Sequence, residues 1–271
     1  MRQDLAPRRR LNLRKSLFVL PSLITLSSVF CGFDAIRVSA TAENSGDFYR
    51  ASLLIVFAMF FDMLDGRVAR MTKTQSAFGL QIDSLADIVS FGVAPALLVY
   101  QWSLKAMGTW GLFVAFLFVA AGAVRLARFN VLSTGQDGAP QKPGKYILGL
   151  PIPGAAGMLI AIVLASHSAQ ANLGSPANAP IIMAVTFVLS LLMVSNVQFR
   201  SFKDIKPNLA TAAFVLFTIG SSAAVALQLQ PAFVLVWLLG FYLAIGIVES
   251  VLSIPRRLRE RRESPPPTTP S

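Results

Sequence analysis

The stretch Asp62-Met63-Leu64-Asp65-Gly66-Arg67-Val68-Ala69-Arg70 is followed, after a short polar break, by Gly79-Leu80-Gln81-Ile82-Asp83-Ser84-Leu85-Ala86-Asp87. Four carboxylates thus stand inside two otherwise apolar stretches. At the centre of a membrane helix each costs about 2.5–3.5 kcal/mol on insertion scales, so a group of four points to a site. Asp62 and Asp65 are three apart and Asp83 and Asp87 four apart. On helices both spacings put the pair on one face. A short connection makes the two helices antiparallel neighbours, so all four carboxylates can converge on one cavity.

Converging anions repel, and Arg70 alone cannot balance four of them. Divalent metal can. All-oxygen ligation suits magnesium, manganese or calcium rather than zinc or copper. His167, the single histidine, is expected far from the site, near the outer end of a span. Gly66 allows close backbone approach by a ligand, and Ala69 and Gly79 leave room on the same faces.

The surroundings of this stretch set the class. The chain of 271 residues is 54% hydrophobic and 14% charged, and its mean hydropathy is +0.61. Soluble domains carry about a quarter charged residues, so this composition indicates a membrane protein. Net charge is +11, but the basic residues fall in short runs between apolar segments, which argues against nucleic acid as a partner. The single Cys31 excludes an internal disulfide framework. The basic N-terminus, apolar run and Ala40-Thr41-Ala42 imitate a cleavable signal. The run from Leu17 to Ala40 is too long for that, and it reads as a retained first span holding a local Asp34–Arg37 pair.

Apolar stretches lie at 17–40, 50–65, 76–100, 108–129, 151–168, 179–197, 208–228 and 231–253, the last two joined at Gln228-Leu229-Gln230-Pro231. They predict an all-α polytopic protein with eight spanning helices. With the N-terminus cytoplasmic, every lysine and arginine except Arg37, Arg50 and Lys105 falls on the cytoplasmic side. The positive-inside rule then puts both termini in the cytoplasm. Four regions follow: a basic cytoplasmic segment over 1–16, a six-helix catalytic membrane domain over 17–200, two additional helices over 201–254, and a basic, then proline-rich, tail over 255–271 expected to be disordered.

The pattern Asp-x2-Asp-Gly-x2-Ala-Arg-x8-Gly-x3-Asp-x3-Asp resembles the signature of the CDP-alcohol phosphatidyltransferases at all its specified positions. The resemblance implies a six-helix core, usually dimeric, that transfers a phosphatidyl group from CDP-diacylglycerol to an alcohol and releases CMP. It implies Mg2+ or Mn2+, as two ions, and no covalent intermediate. Carried over by position, Asp62, Asp65, Asp83 and Asp87 become metal ligands, with Asp87 also the general base. Gly66, Ala69, Arg70, Ser76 and Gly79 line the CDP-diacylglycerol site.

Further pieces resemble the serine-using branch of the family: Leu20-Pro21-Ser22-Leu23-Ile24-Thr25, Phe30-Cys31-Gly32-Phe33, Arg125-Leu126-Ala127-Arg128-Phe129-Asn130 and Gly149-Leu150-Pro151-Ile152-Pro153. Ser22 departs from the asparagine that relatives often carry. L-Serine is therefore the implied acceptor, with Arg125, Arg128 and Lys145 suited by charge to hold its carboxylate. Glycerol 3-phosphate would also suit basic residues, and a cation transporter is the alternative of another class. The resemblance implies an inner (cell) membrane location with the site facing the cytoplasm.

Overall fold

The computed structural model describes residues 13–72, 77–133, 146–200, 209–228, 231–246 and 248. Residues 1–12, Ser76, Lys145, residues 229–230 and the proline-rich tail lie outside the described residues.

The described chain is helical: α1 (Leu13–Ala40), α2 (Ser45–Thr72), α3 (Ala77–Asp87), α4 (Ala94–Trp102), α5 (Thr109–Ser133), α6 (Ile152–Ser168), α7 (Ala179–Val194) and α8 (Leu209–Gln228), then α9 (Pro231–Gly246). Each of the eight expected apolar stretches contains helix, and the third is built from α3, a π-helical turn and α4. One element was not expected from the sequence. Tyr146–Leu148 (β1) pairs antiparallel with Gln198–Arg200 (β2), Tyr146 opposite Arg200.

Among the described residues, three helices are long and apolar enough to cross a membrane: Pro21–Ala40, Phe78–Trp102 and Thr109–Val131. The apolar helices Ile152–Ser168, Ala179–Val194 and Pro231–Gly246 are shorter. At 1.5 Å per residue, a 17-residue helix such as α6 covers only about 25 Å of a hydrocarbon core of about 30 Å. Large apolar side chains face outward, with Phe30 69% and Trp110 70% exposed. An outward apolar surface of this kind fits lipid rather than water.

Local chemistry explains several boundaries. The Asn44 side chain accepts from the amides of Gly46 and Asp47, and Asp47 accepts in return from the amides of Glu43 and Asn44. This reciprocal cap starts α2. Asp34 and Arg37 form the expected ion pair at 2.7 Å near the end of α1. Gly149, at φ +74, turns the chain out of β1, and its amide donates to the Val197 carbonyl at 2.8 Å. The next amide, Leu150, donates to Leu192 at 3.0 Å. The segment before α6 is thereby fastened to the end of α7.

Helix α1 organises the part of the fold that carries the aspartates. It packs along α2 and also against α3, the π-turn and α4. The close approach is made by small residues. A Cβ on Gly32 would lie 2.8 Å from the Ser90 Cα, so only glycine fits between α1 and the π-turn. Ser28 donates to the Ala58 carbonyl in α2 at 3.0 Å, and Ser90 donates to the Ser28 carbonyl at 3.1 Å. Behind these contacts lies an apolar core with Ile55, Phe91, Leu98, Phe118, Ile152 and Leu159 fully buried.

Candidate active site: a carboxylate cluster between α2 and α3

Helix α2 delivers Asp62 and Asp65 near its C-terminal end, and α3 delivers Asp83 and Asp87 at its own C-terminal end. Carboxylate oxygens of Asp62, Asp65 and Asp83 all lie within 4.8 Å of one another. Asp87 joins them through a side-chain hydrogen bond with Asp62. The expected convergence of all four is therefore present, although they are drawn from helices that both lean on α1.

The helix changes character immediately after Asp87. Residues Ile88–Val93 form a π-helical turn in which the Ala94 amide donates to the Val89 carbonyl, five residues back. Pro95 supplies one cause, because it has no amide to continue the α-helical ladder and crowds the carbonyl four residues before it. Packing supplies another. Ser90 is pinned to α1, while Gly92 of the π-turn and Gly122 of α5 leave room for the Ile88 and Ile152 side chains. Such turns re-aim the residues beside them and recur at functional sites.

Each aspartate has distinct surroundings. Asp65 is 5% exposed, and its Oδ2 accepts from the Thr25 hydroxyl of α1 at 2.5 Å. Asp65 also takes a backbone hydrogen bond from Gly66. The Asp87 Oδ1 is buried without a hydrogen-bond partner. Arg125, on α5, lies within electrostatic reach of Asp87, and its Nε is also buried without a partner. Buried polar atoms of this kind are normally satisfied, which fits a site that takes a polar ligand or a metal.

Four carboxylates at these separations repel strongly in a low-dielectric setting, and one nearby guanidinium does not offset them. Clustered oxygens with an unsatisfied Asp87 oxygen fit a hard divalent cation such as magnesium, manganese or calcium.

The remaining expected residues fall into three groups. Gly66 and Arg70 belong together: a Cβ on Gly66 would meet the Arg70 Nη1 at 3.6 Å, so the guanidinium folds back over the bare glycine. Ala69 and Gly79 are partly buried on α2 and α3. Arg128 is exposed and donates to the Asn196 Oδ1 at 2.7 Å, just beyond α7, whereas Arg125 one turn earlier is the arginine directed to the cluster. Ser76 and Lys145 lie outside the described residues.

Sequence reasoning missed three polar residues. Asn130 donates to the Ser84 Oγ at 2.9 Å, joining α5 to α3 between Asp83 and Asp87. Asn196 holds Arg128, and Thr25 holds Asp65. Asn130 and Thr25 stood within segments already noted for their resemblance, but no periodicity distinguishes a polar residue that bonds a neighbouring helix from one that bonds its own.

The model of the CDP-alcohol phosphatidyltransferase family matches residues 18–199, which take in most of α1, all of α2 to α7 and every aspartate of the cluster. The chain belongs to the CDP-alcohol phosphatidyltransferase family. It is 35% identical over 248 residues to the CDP-diacylglycerol–serine O-phosphatidyltransferase of Helicobacter pylori strain J99, covering 92% of this chain and 98% of that one. It is 32% identical over 252 residues to the enzyme of the same name from Mycobacterium tuberculosis H37Rv, covering 91% and 80%. The archaetidylserine synthase of Methanothermobacter thermautotrophicus is 35% identical over 186 residues, covering 68% and 70%. Family membership and the apolar helices together make this an integral membrane protein of an enzyme family.

Proposed function

We propose that this chain transfers the phosphatidyl group of CDP-diacylglycerol to the hydroxyl of L-serine, giving phosphatidylserine and CMP. The observation that carries the reading is the convergence of the Asp62, Asp65 and Asp83 oxygens within 4.8 Å, with Asp87 bonded to the same group. The choice of serine is supported by the relatives named for that acceptor, which match nearly the whole chain.

Asp62, Asp65, Asp83 and Asp87 would hold the metal, proposed as two ions of Mg2+ or Mn2+. Bound there, divalent cations would neutralise the pyrophosphate and the charge that develops on departing CMP. The protein's own groups do the rest. Arg70, folded over Gly66, binds the CDP part of the substrate, with Ala69 and Gly79 leaving it room and Ser76 contributing a hydroxyl. The serine oxygen attacks the phosphorus that carries diacylglycerol, forming the new ester bond as the bond to CMP oxygen breaks. Asp87 accepts the serine hydroxyl proton during that attack rather than before it. Arg125 beside Asp87 holds the acceptor's carboxylate, assisted by Arg128 and Lys145.

Architecturally, residues 17–200 form the six-helix catalytic domain and 201–254 add two helices, with both termini and the site facing the cytoplasm of a bacterial-type inner membrane. The enzyme works as a homodimer. Interior packing favours an enzyme over a cation path, because next to Asp87 the partly buried Ile88 packs with Ile152, which is fully buried among Gly92 and Gly122. That apolar layer offers no ligand to an ion moving on from the cluster.

The test is CMP release by purified protein in detergent, with CDP-diacylglycerol and Mg2+ or Mn2+, comparing L-serine with glycerol 3-phosphate. Serine-dependent CMP release with an aminophospholipid product is the expected result. Release with glycerol 3-phosphate alone would refute the acceptor and leave the phosphatidyl transfer chemistry standing.

A further inference from the structure

We propose that Thr25 is a positioning residue that sets the direction of the Asp65 carboxylate and thereby the affinity of the site for its metal. The inference rests on reading the aspartate cluster as a metal centre. Thr25 and Asp65 are 6% and 5% exposed, and 40 residues separate them in the chain. Both are buried, so the 2.5 Å bond between them is largely shielded from solvent.

The hydroxyl carries one proton and has two acceptors in reach, Asp65 Oδ2 at 2.5 Å and the Pro21 carbonyl at 3.1 Å. The Pro21 carbonyl lies within α1 and is already served by the helical ladder. The proton therefore goes to the carboxylate, which also gains more from it, since bonds to ionised acceptors are the shorter and stronger ones. With Oδ2 tied to α1 and a second bond from Gly66, the plane of the Asp65 carboxylate is fixed. That plane fixes the oxygen Asp65 presents to Asp62 and Asp83.

The helix bearing Thr25 cannot slide to relax this arrangement. Ser28, three residues on along the same face, donates to the Ala58 carbonyl two turns before Asp65 in α2. Gly32, one further turn along, abuts Ser90. Thr25 is thus held in register by two contacts that do not involve the carboxylates. Groups that orient metal-bound carboxylates from behind typically change metal affinity 10- to 100-fold when removed.

The experiment titrates Mn2+ alone into purified detergent-solubilised protein and follows free Mn2+ by electron paramagnetic resonance. It compares wild type, Thr25→Val, Thr25→Ser and Asp62→Asn. Expected are a roughly 10- to 100-fold weaker Mn2+ affinity in Thr25→Val, near-wild-type affinity in Thr25→Ser, and loss of binding in Asp62→Asn. In the CMP-release assay, raising Mn2+ should restore Thr25→Val turnover, which excess metal would not do for a merely misfolded variant. Wild-type Mn2+ affinity in Thr25→Val, with binding lost in Asp62→Asn, would overturn the role of Thr25 alone. Wild type binding no more Mn2+ than Asp62→Asn would overturn the metal centre itself. If Thr25→Val aggregates on size exclusion, Thr25→Ala takes its place with the same expected loss, and full affinity there is equally fatal to the proposal.

Discussion

Gly32 of α1 and Ser90 of the π-turn touch directly: a Cβ on Gly32 would stand 2.7 Å from the Ser90 Oγ and 2.8 Å from its Cα. Because Ser90 lies three residues beyond Asp87, this contact fixes the segment on which the proposed general base is mounted. Trimming the serine side chain cannot relieve a clash with its backbone. Gly32→Ala is therefore expected to cost about 1–3 kcal/mol, the usual penalty of overpacking. Ser90→Ala loses only hydrogen bonding to Ser28, worth about 1 kcal/mol. Thermal unfolding in detergent orders the two, and a Gly32→Ala protein as stable as Ser90→Ala would show that α1 and the π-turn can separate freely.

Asp87→Asn keeps the shape of the side chain and removes its basicity. Turnover should fall by about 10² to 10⁴, the range of general-base contributions. CDP-diacylglycerol binding, measured by displacement of a labelled CDP-lipid, should change only a few-fold. Undiminished CMP release in this variant contradicts the role given to Asp87.

Arg125→Gln separates acceptor binding from chemistry. Losing a charge-assisted hydrogen bond costs about 1.5–3 kcal/mol, which corresponds to roughly 10- to 100-fold in KM for serine. The KM for CDP-diacylglycerol should move far less. A serine KM unaffected by the substitution places the acceptor elsewhere, with Arg128, held by Asn196, as the next arginine to test.

Chelation should silence the enzyme reversibly. Removing divalent ions with EDTA is expected to abolish CMP release, and Mg2+ or Mn2+ to restore it, whereas Zn2+ should not substitute in an all-oxygen site that favours hard cations. Activity persisting after exhaustive chelation would rule out a metal role for the four aspartates.

The aspartate cluster was legible before any coordinates because its grammar is local. Two carboxylates three or four residues apart share a helix face wherever that helix goes, and their joint cost in a membrane demands a compensating role. The helical stretches were legible for a similar reason, since a long apolar run in lipid must satisfy its own backbone groups, as a helix does. The β1–β2 ribbon was not, because its strands of three residues each, Tyr146–Leu148 and Gln198–Arg200, are too short to show an alternating pattern.

What the amino-acid sequence determined by itself, then, is the membrane class, the helical stretches and which carboxylates share each face. Tertiary structure alone decided how those faces meet. Thr25 reaches Asp65 across 40 residues of chain, Ser28 reaches Ser90 across 62, and Arg125 rather than Arg128 turns towards Asp87. The π-turn after Asp87 belongs here too, for although Pro95 permits it, the contacts of Ser90 with α1 and of Gly92 with Ile152 hold it in place. Such features depend on how closely two helices approach, which is set by the small residues between them and by partners distant in the chain, and the period of one helix carries no record of either.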